Sequence, residues 1–461
     1  ALPILFDPIL TFCRENPAGS LLNPYATTRV PDFNIYFFLI GIFGVIYTSG
    51  VWQGAGGYNG AARSAHEAKM SRFLGSWRGM TQAMLFLFIP IVAFAVMHNP
   101  DFADVAAEVN RTLRTIPSEQ IQSQVTVPLV LVNILPSGLI GMFAAVMFAA
   151  MLSTDNTYMH SWGSIFIQDV IMPFRKKPFS PKPHLRLLRL SIVLVGLFAF
   201  FFSWLFVQTE MIALFFSVTG AIFSGGAGAV LIGGLYTRWG SAWGAWAAMV
   251  VGSGLAAGGI FLQRSWSSTV GPALLQVLPE WEYLKDNLEA FPFNGQEMFF
   301  FSSVAGIVMY VLFSLLERSV RRLELFNLEK MLHRGCYAVE ESICRSRPGS
   351  LLRLLGVTPE FSRRDMAVLV MTLGWTCGWF VVFLVVTVFS TLLGITDEQW
   401  TAFWKFKLVL AFVLGIVTTA WFLIGGFRDL RSMFRLLKRA EVQIEDDGWV
   451  NESGENSMES K

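Results

Sequence analysis

Residues 147–169 read Met-Phe-Ala-Ala-Met-Leu-Ser-Thr-Asp-Asn-Thr-Tyr-Met-His-Ser-Trp-Gly-Ser-Ile-Phe-Ile-Gln-Asp and continue an apolar run that begins near Leu139. The stretch holds no proline, and Gly163 is its one glycine. It therefore reads as one long helix with a lipid-compatible first half and a polar second half. At helical spacings of three and four, Ala150, Ser153, Thr154, Thr157, Ser161, Ser164 and Gln168 share a face, while Tyr158, Trp162, Ile165 and Phe166 fall elsewhere. A polar stripe with a carboxylate, Asp155, beside it is costly at membrane depth unless it faces a cavity or coordinates something.

The rest of the chain makes membrane depth the right frame. Of 461 residues, 54% are hydrophobic and only 15% charged, with 42 Phe and 15 Trp; the mean hydropathy is +0.52. That composition excludes an ordinary soluble domain and calls for repeated bilayer-length apolar runs. Such runs fall at about 34–53, 79–97, 136–170, 190–207, 211–235, 241–262, 298–316, 366–393 and 408–426, which makes about nine spans in an all-α, polytopic helix bundle. The net charge of +2 says less than its arrangement. Loops 63–78, 175–189, 236–240 and 317–365 and the tail after Phe427 hold most of the Lys and Arg, whereas 98–132, 264–297 and 394–400 are neutral or acidic. This positive-inside pattern places the C-terminus in the cytoplasm and the N-terminus outside, in a plasma membrane such as the bacterial inner membrane.

Several stretches fall outside the spans. Residues 1–33 form an extracytoplasmic segment without the basic and apolar regions of a signal peptide. An outside N-terminus that starts on Ala predicts the C-terminal part of a longer protein. In the 317–365 loop, Leu316, Val320, Leu323, Leu325 and Leu328 alternate with Arg318, Arg321, Arg322, Glu324 and Lys330, the pattern of an amphipathic helix on the cytoplasmic membrane surface. The tail from Glu441 is acidic and rich in Ser, Gly and Asn, which predicts disorder.

No catalytic motif stands out: there is no Walker loop, HExxH or GxSxG. The four cysteines are scattered, and the spacing of His333, Cys336 and Cys344 suits no closed zinc site. A membrane enzyme would need more than Asp155 and His160. Ser153 and Thr154 have the chemistry of ligands for a hard monovalent cation, which takes hydroxyl and carbonyl oxygens where a helix is interrupted. They are equally compatible with hydroxyls that bond back to their own i−4 carbonyl or join helices. His160 reads as an interhelical hydrogen-bond partner or a proton-linked group, and Asp155, Asn156 and Thr157 as a second cation or proton site. Around 47–60, Tyr47-Thr48-Ser49-Gly50 before Trp52-Gln53, followed by Gly54, Gly56, Gly57 and Gly60, suggests either a broken helix with exposed backbone groups or a flexible helix end packed on a neighbour. Thr219-Gly220 and Ser224-Gly225-Gly226 would either open another helix or pack closely.

Four stretches resemble the sodium:solute symporter family, whose members share the leucine-transporter fold. Gln53 with Ala61-Ala62-Arg63-Ser64 and Glu67-Ala68 resembles the segment after the broken sixth core helix. Leu135-Pro136-Ser137-Gly138-Leu139-Ile140-Gly141 resembles the start of the eighth. Ala150-Met151-Leu152-Ser153-Thr154 with Phe166-Ile167-Gln168-Asp169 resembles the sodium-ligand segment, and Gly233-Gly234-Leu235-Tyr236 with Gly240 and Gly244 resembles the junction after the tenth. The resemblance implies that residues 34–235 form the second five-helix inverted repeat, with peripheral helices over 236–316, the cytoplasmic loop 317–365, further helices over 366–427 and a tail over 428–461. It implies sodium at the Ala150 carbonyl, Ser153 and Thr154, and a substrate cavity around Tyr47, Thr48, Ser49, Trp52 and Gln53. It sets Phe216 where sugar-transporting relatives place a polar contact, which weakens the case for a hexose.

The implied activity is sodium-coupled symport of a small organic solute of the sugar, amino acid or carboxylate class. Sodium would be co-transported, with no organic cofactor, no other metal and no nucleic acid. The bilayer and the missing N-terminal half of the transporter, with its first repeat, would be the partners. The alternative is a membrane solute sensor or regulatory subunit that uses the same fold without net transport.

Overall fold

The structure is a computed structural model; it describes residues 2–16, 19–27, 30, 32–55, 62, 64–175, 179–205, 210–331, 337, 355, 357 and 360–438. Among the described residues there is no strand. Eight helices among the described residues are long and apolar enough to cross a membrane, so the protein is an all-α, multi-pass membrane protein. In chain order the helices are α1 (Leu2–Glu15), α2 (Ile35–Tyr47), α3 (Ala65–His98), α4 (Ala103–Leu113), α5 (Glu119–Ile134), α6 (Ser137–Ile165), α7 (Pro181–Leu205), α8 (Ile212–Tyr236), α9 (Ala242–Ser265), α10 (Gly271–Val277), α11 (Glu282–Asp286), α12 (Gly295–Arg321), α13 (Leu328–Met331), α14 (Arg363–Leu392) and α15 (Asp397–Leu437).

Local chemistry sets the boundaries. Asn34 accepts the Tyr36 and Phe37 amides at the start of α2, Ser64 accepts the Glu67 amide in α3, and Ser241 accepts the Gly244 amide in α9. Asn294 with Glu297 and Ser362 with Asp365 form capping boxes on α12 and α14. The expected first span is shorter than a membrane crossing. α2 has 13 residues and stops where Thr48 turns its hydroxyl onto the Gly44 carbonyl (2.8 Å), because Gly50 at φ 81° sends the backbone into a turn. The loops 98–132 and 264–297 are not open connections: they contain α4 and α5, and a π turn (Trp266–Val270) with α10 and α11.

The expected amphipathic helix after Leu316 does not run through the loop. α12 extends to Arg321, the left-handed Arg322 (φ 51°) ends it, and 323–327 are non-helical before the single turn of α13. His333, Cys336, Cys344, most of the remaining loop and the acidic tail lie outside the described residues.

The chain divides into two compact units. One comprises residues 1–53, 63–134 and 208–415. Its centre is the cluster of α8, α9 and α12 with α2 laid against it, and its buried residues include Tyr47, Ala221, Ala248, Ala256, Phe299 and Tyr310. Glycine allows these helices to touch backbone to backbone. A Cβ on Gly252 would stand 2.5 Å from the Gly226 nitrogen, and one on Gly226 2.5 Å from the Met249 Cα. The Ser224-Gly225-Gly226 step is thus a packing device within a helix that stays continuous over 212–236. A second cluster joins α1 to α3 and α15 through Phe6, Ile9, Cys13, Trp400 and Leu408; a third, with Val96, Val109 and Val130, joins α3, α4 and α5.

The other unit comprises residues 54–62, 135–207 and 416–461. There α6 and α7 meet at Gly163, whose carbonyl accepts the Ser191 hydroxyl (3.2 Å). Past Ile165, α6 continues as a π-helical turn, Phe166–Ile171, with Ile167 buried and Gln168 and Asp169 exposed.

Candidate functional site

The polar stripe that opens the sequence reading lies on α6, and nearly every residue from Gly141 to His160 is exposed. Ala150, Ser153 and Thr154 share one turn. The Thr154 hydroxyl donates to the Ala150 carbonyl at 2.9 Å, and the Thr157 hydroxyl donates to the Ser153 carbonyl at 2.8 Å. One turn down the stripe, Ser161 is buried and donates to the Gly54 carbonyl (2.8 Å), which ties Gly54 to α6. The turn therefore concentrates hydroxyl and carbonyl oxygens, ligands of the hard-cation type, on an exposed helix surface. Asp155 and Asn156 stand exposed on the same helix, as does His160.

The residues of the expected substrate cavity separate by environment. Tyr47 is 3% exposed, and its hydroxyl donates to the Gly225 carbonyl (2.6 Å) while accepting the Ala229 amide (3.0 Å). Those are the two groups that close one i→i−4 step of α8, so Tyr47 inserts into the hydrogen-bond ladder of α8 and ties α2 to it. Its ring lies over Gly228, where a Cβ would stand 2.5 Å from ring carbons. Thr48 is bonded to Gly44, and Ser49, Trp52 and Gln53 are exposed. Gln53 lines a cavity of about 390 Å³ with Val51, Phe223, Leu231, Met249 and Met331. Phe216, 67% exposed, shares the face of α8 that carries Phe223, Ala227, Val230 and Gly234, by spacings of seven, four, three and four.

Two features of this region escape a motif-based reading. The first is Met331, delivered by α13. Its segment is held back on the bundle by the Phe326 amide on the Arg238 carbonyl (2.8 Å) and by the Arg238–Glu329 pair (3.7 Å). The second is Glu210, set between two apolar runs. Its carboxylate accepts Gln263 Nε2 (2.9 Å) and the Gly295 amide (3.1 Å), and its carbonyl accepts the Gln120 side chain. One residue thus gathers α5, α9 and α12 at the start of α8. Burial pushes the Glu210 carboxyl up to about 7, with neighbouring Asp32 adding to the rise and the Gly295 amide opposing it. A lone acid between two apolar runs was the available signal.

Comparison with curated proteins and with solved structures finds no match. The sequence model of one family matches residues 23–252, from the turn before α2 to midway along α9, and so takes in both the oxygen-bearing turn of α6 and the α2–α8 region. That match carries the family assignment: the chain belongs to the sodium:solute symporter family.

Proposed function

We propose that this chain is the C-terminal part of a sodium-coupled symporter for a small organic solute. Sodium rests on the Ala150 carbonyl and the Ser153 and Thr154 hydroxyls of α6. The observation that carries the reading is the composition of that turn: a hydroxyl and a carbonyl oxygen 2.9 Å apart, with a second hydroxyl residue adjacent, on an exposed surface within the segment matched by the family. Ligands on a single turn occupy one side of an ion, so the remaining oxygens come from another element, the first repeat of the complete transporter. Sodium bound between the two stabilises the state that takes up solute, and the ion and solute then cross together as the repeats rock. On this reading the N-terminus lies outside and the C-terminus in the cytoplasm of a plasma membrane, and Asp155, Asn156 and Thr157 form a second cation or proton site.

The experiment is uptake by the complete protein as a function of sodium. In Ser153→Ala and Thr154→Ala the sodium concentration for half-maximal uptake rises about tenfold or more, as expected for loss of one charged-ligand contact of about 1.4 kcal/mol or more. Unchanged sodium dependence in both variants removes the site.

A further inference from the structure

One face of α7 changes character along its length. Lys182, Arg186 and Arg189 are followed by Val193, Leu197 and Phe200 at spacings of four, three, four, four and three. All six therefore share one side of the helix, and all six are exposed. The opposite side is the one that meets α6. There Ser191 is buried and donates to the Gly163 carbonyl, and Leu188 and Val195, in line with it at spacings of three and four, are half-buried. The charge on the outer face has no acidic counterpart. None of Lys182, Arg186 and Arg189 forms an ion pair among the described residues, and the sequence holds no Asp or Glu between Asp169 and Glu210. Arg175 adds to the same end: its guanidinium lies over the Phe179 ring (3.8 Å), which stacks in turn on His184 at the start of α7 (6.0 Å).

Depth turns this pattern into a ligand specification. The 24 residues Lys182–Leu205 make an apolar, membrane-length helix, about 36 Å long at the usual helical rise. That exceeds the roughly 30 Å of hydrocarbon by less than the thickness of the two headgroup layers. Lys182 to Arg189 takes up about 10 Å of it, so the three cations stand at headgroup level, with Val193, Leu197 and Phe200 directly below them in the hydrocarbon. A soluble acidic protein or a free anion would meet the cations but leave the apolar strip unused. We infer that this face of α7 is a binding surface for an anionic phospholipid, whose phosphate rests on Lys182, Arg186 and Arg189 and whose acyl chains run along Val193, Leu197 and Phe200. The inference needs only that α7 crosses the bilayer, and it stands or falls apart from the symport reading.

The test reconstitutes the full chain in phosphatidylcholine liposomes that carry a trace of one photoactivatable lipid, phosphatidylglycerol or phosphatidylcholine with a diazirine in its acyl chain. Labelled residues are then mapped by mass spectrometry. A basic residue at an anionic headgroup is worth about fivefold in affinity, the equivalent of about 1 kcal/mol. Over Val193–Phe200 phosphatidylglycerol is therefore expected to label tenfold or more above phosphatidylcholine. The preference falls to within twofold when Lys182→Gln, Arg186→Gln and Arg189→Gln are combined, and it survives when Lys182→Arg, Arg186→Lys and Arg189→Lys are combined. Arg189→Gln alone, and the unaltered chain in molar potassium chloride, lower it severalfold, which keeps the test open if the triple loss of charge impairs insertion. Combining Arg428→Gln, Arg431→Gln and Arg435→Gln removes as much charge from the end of α15 and leaves the preference on α7 unchanged. An equal fall in that variant overturns the inference, because a general surface potential then accounts for the preference. Equal labelling by the two lipids, a preference that persists without the three cations, or no label on α7 from either lipid, the result for a face covered by protein, also overturns it. So does loss of the label on adding inorganic phosphate or glycerophosphoglycerol, the behaviour of a site for a free anion.

Discussion

The α8–α9–α12 cluster and the α6–α7 pair are built from similar material, apolar helices seeded with Gly, Ser and Thr, yet they use it differently. In the most apolar stretches of α8, α9 and α12, 39%, 22% and 33% of residues are buried; in α6 none is, and in α7 6%. In the cluster several of the small residues are consumed by contact: Gly225, Gly226 and Gly252 bring backbones together, and Gly233 and Gly240 make room for Tyr310. Over 138–157 of α6 the small and polar residues stand on an exposed surface, and a Cβ at Gly138 or Gly141 would have nothing within 4 Å. The same residue types thus serve as close-packing devices in one region and as an uncovered functional surface in the other. Composition alone does not separate the two roles.

Alanine at glycine gives the largest effect that can break this comparison. In Gly252→Ala the new Cβ stands 2.5 Å from a backbone nitrogen that has no side chain to swing away, so helix separation is the available relief, at about 3 kcal/mol. In Gly141→Ala the space is open and the helix gains roughly 0.5–1 kcal/mol. Thermal unfolding of the two variants in detergent reads the difference, and equal shifts would show that the cluster is not packed through Gly252. Repeating Gly141→Ala with the proposed N-terminal half present sharpens the point. A destabilisation found only there marks α6 as covered by another element.

This contrast also explains what could be read from the sequence. The helices were legible because bilayer-length apolar runs leave few alternatives, and the break after Tyr47 was legible because Thr48-Ser49-Gly50 interrupts such a run. The extent of α3 was less so, because residues 65–78 mix charge with good helix formers and resemble a connection until Ser64 is seen to cap them. The 323–327 stretch fails as a helix for a reason no periodicity shows, the left-handed Arg322. At the candidate site, Ser153 and Thr154 could be singled out by chemistry and resemblance. Burial of Tyr47 and delivery of Met331 depend on long-range packing, which local sequence does not encode.

Glu210 provides an intermediate effect confined to the first region. Its carboxyl is raised from 4.5 to about 7 in the folded chain, so between those values the folded state holds a proton that the unfolded state releases. The sign follows: stability falls as pH rises from about 4.5 through 7 and levels off above, by an amount on the order of 2 kcal/mol once solvent screening at this partly exposed carboxyl is allowed for. Glu210→Gln keeps an oxygen to accept the Gly295 amide and removes the titration. The variant should therefore unfold at nearly the same temperature at pH 5 and pH 8, whereas the parent loses stability over that interval. Parallel profiles for the two proteins would mean that the node is not the buried carboxylate described.

The smallest effect sets one hydroxyl from each region side by side. Tyr47→Phe removes a group inserted between the Gly225 carbonyl and the Ala229 amide. These two groups can close on each other as an ordinary helical step, so the loss is held to about 1 kcal/mol, the net worth of a buried hydrogen bond, instead of the full cost of two orphaned groups. Thr154→Val removes a hydroxyl that, among the described residues, bonds its own helix's Ala150 carbonyl on an exposed face, and should move stability by less than about 0.5 kcal/mol. If the candidate site is what its oxygens suggest, the order reverses in function: in the complete transporter Thr154→Val weakens sodium dependence while Tyr47→Phe leaves it nearly intact. Unfolding midpoints paired with sodium titrations of uptake decide this, because a Thr154 with no part in ion binding would leave the sodium titration unchanged. A hydroxyl that costs the fold almost nothing to lose, yet changes the response to sodium, is held in place for the ion.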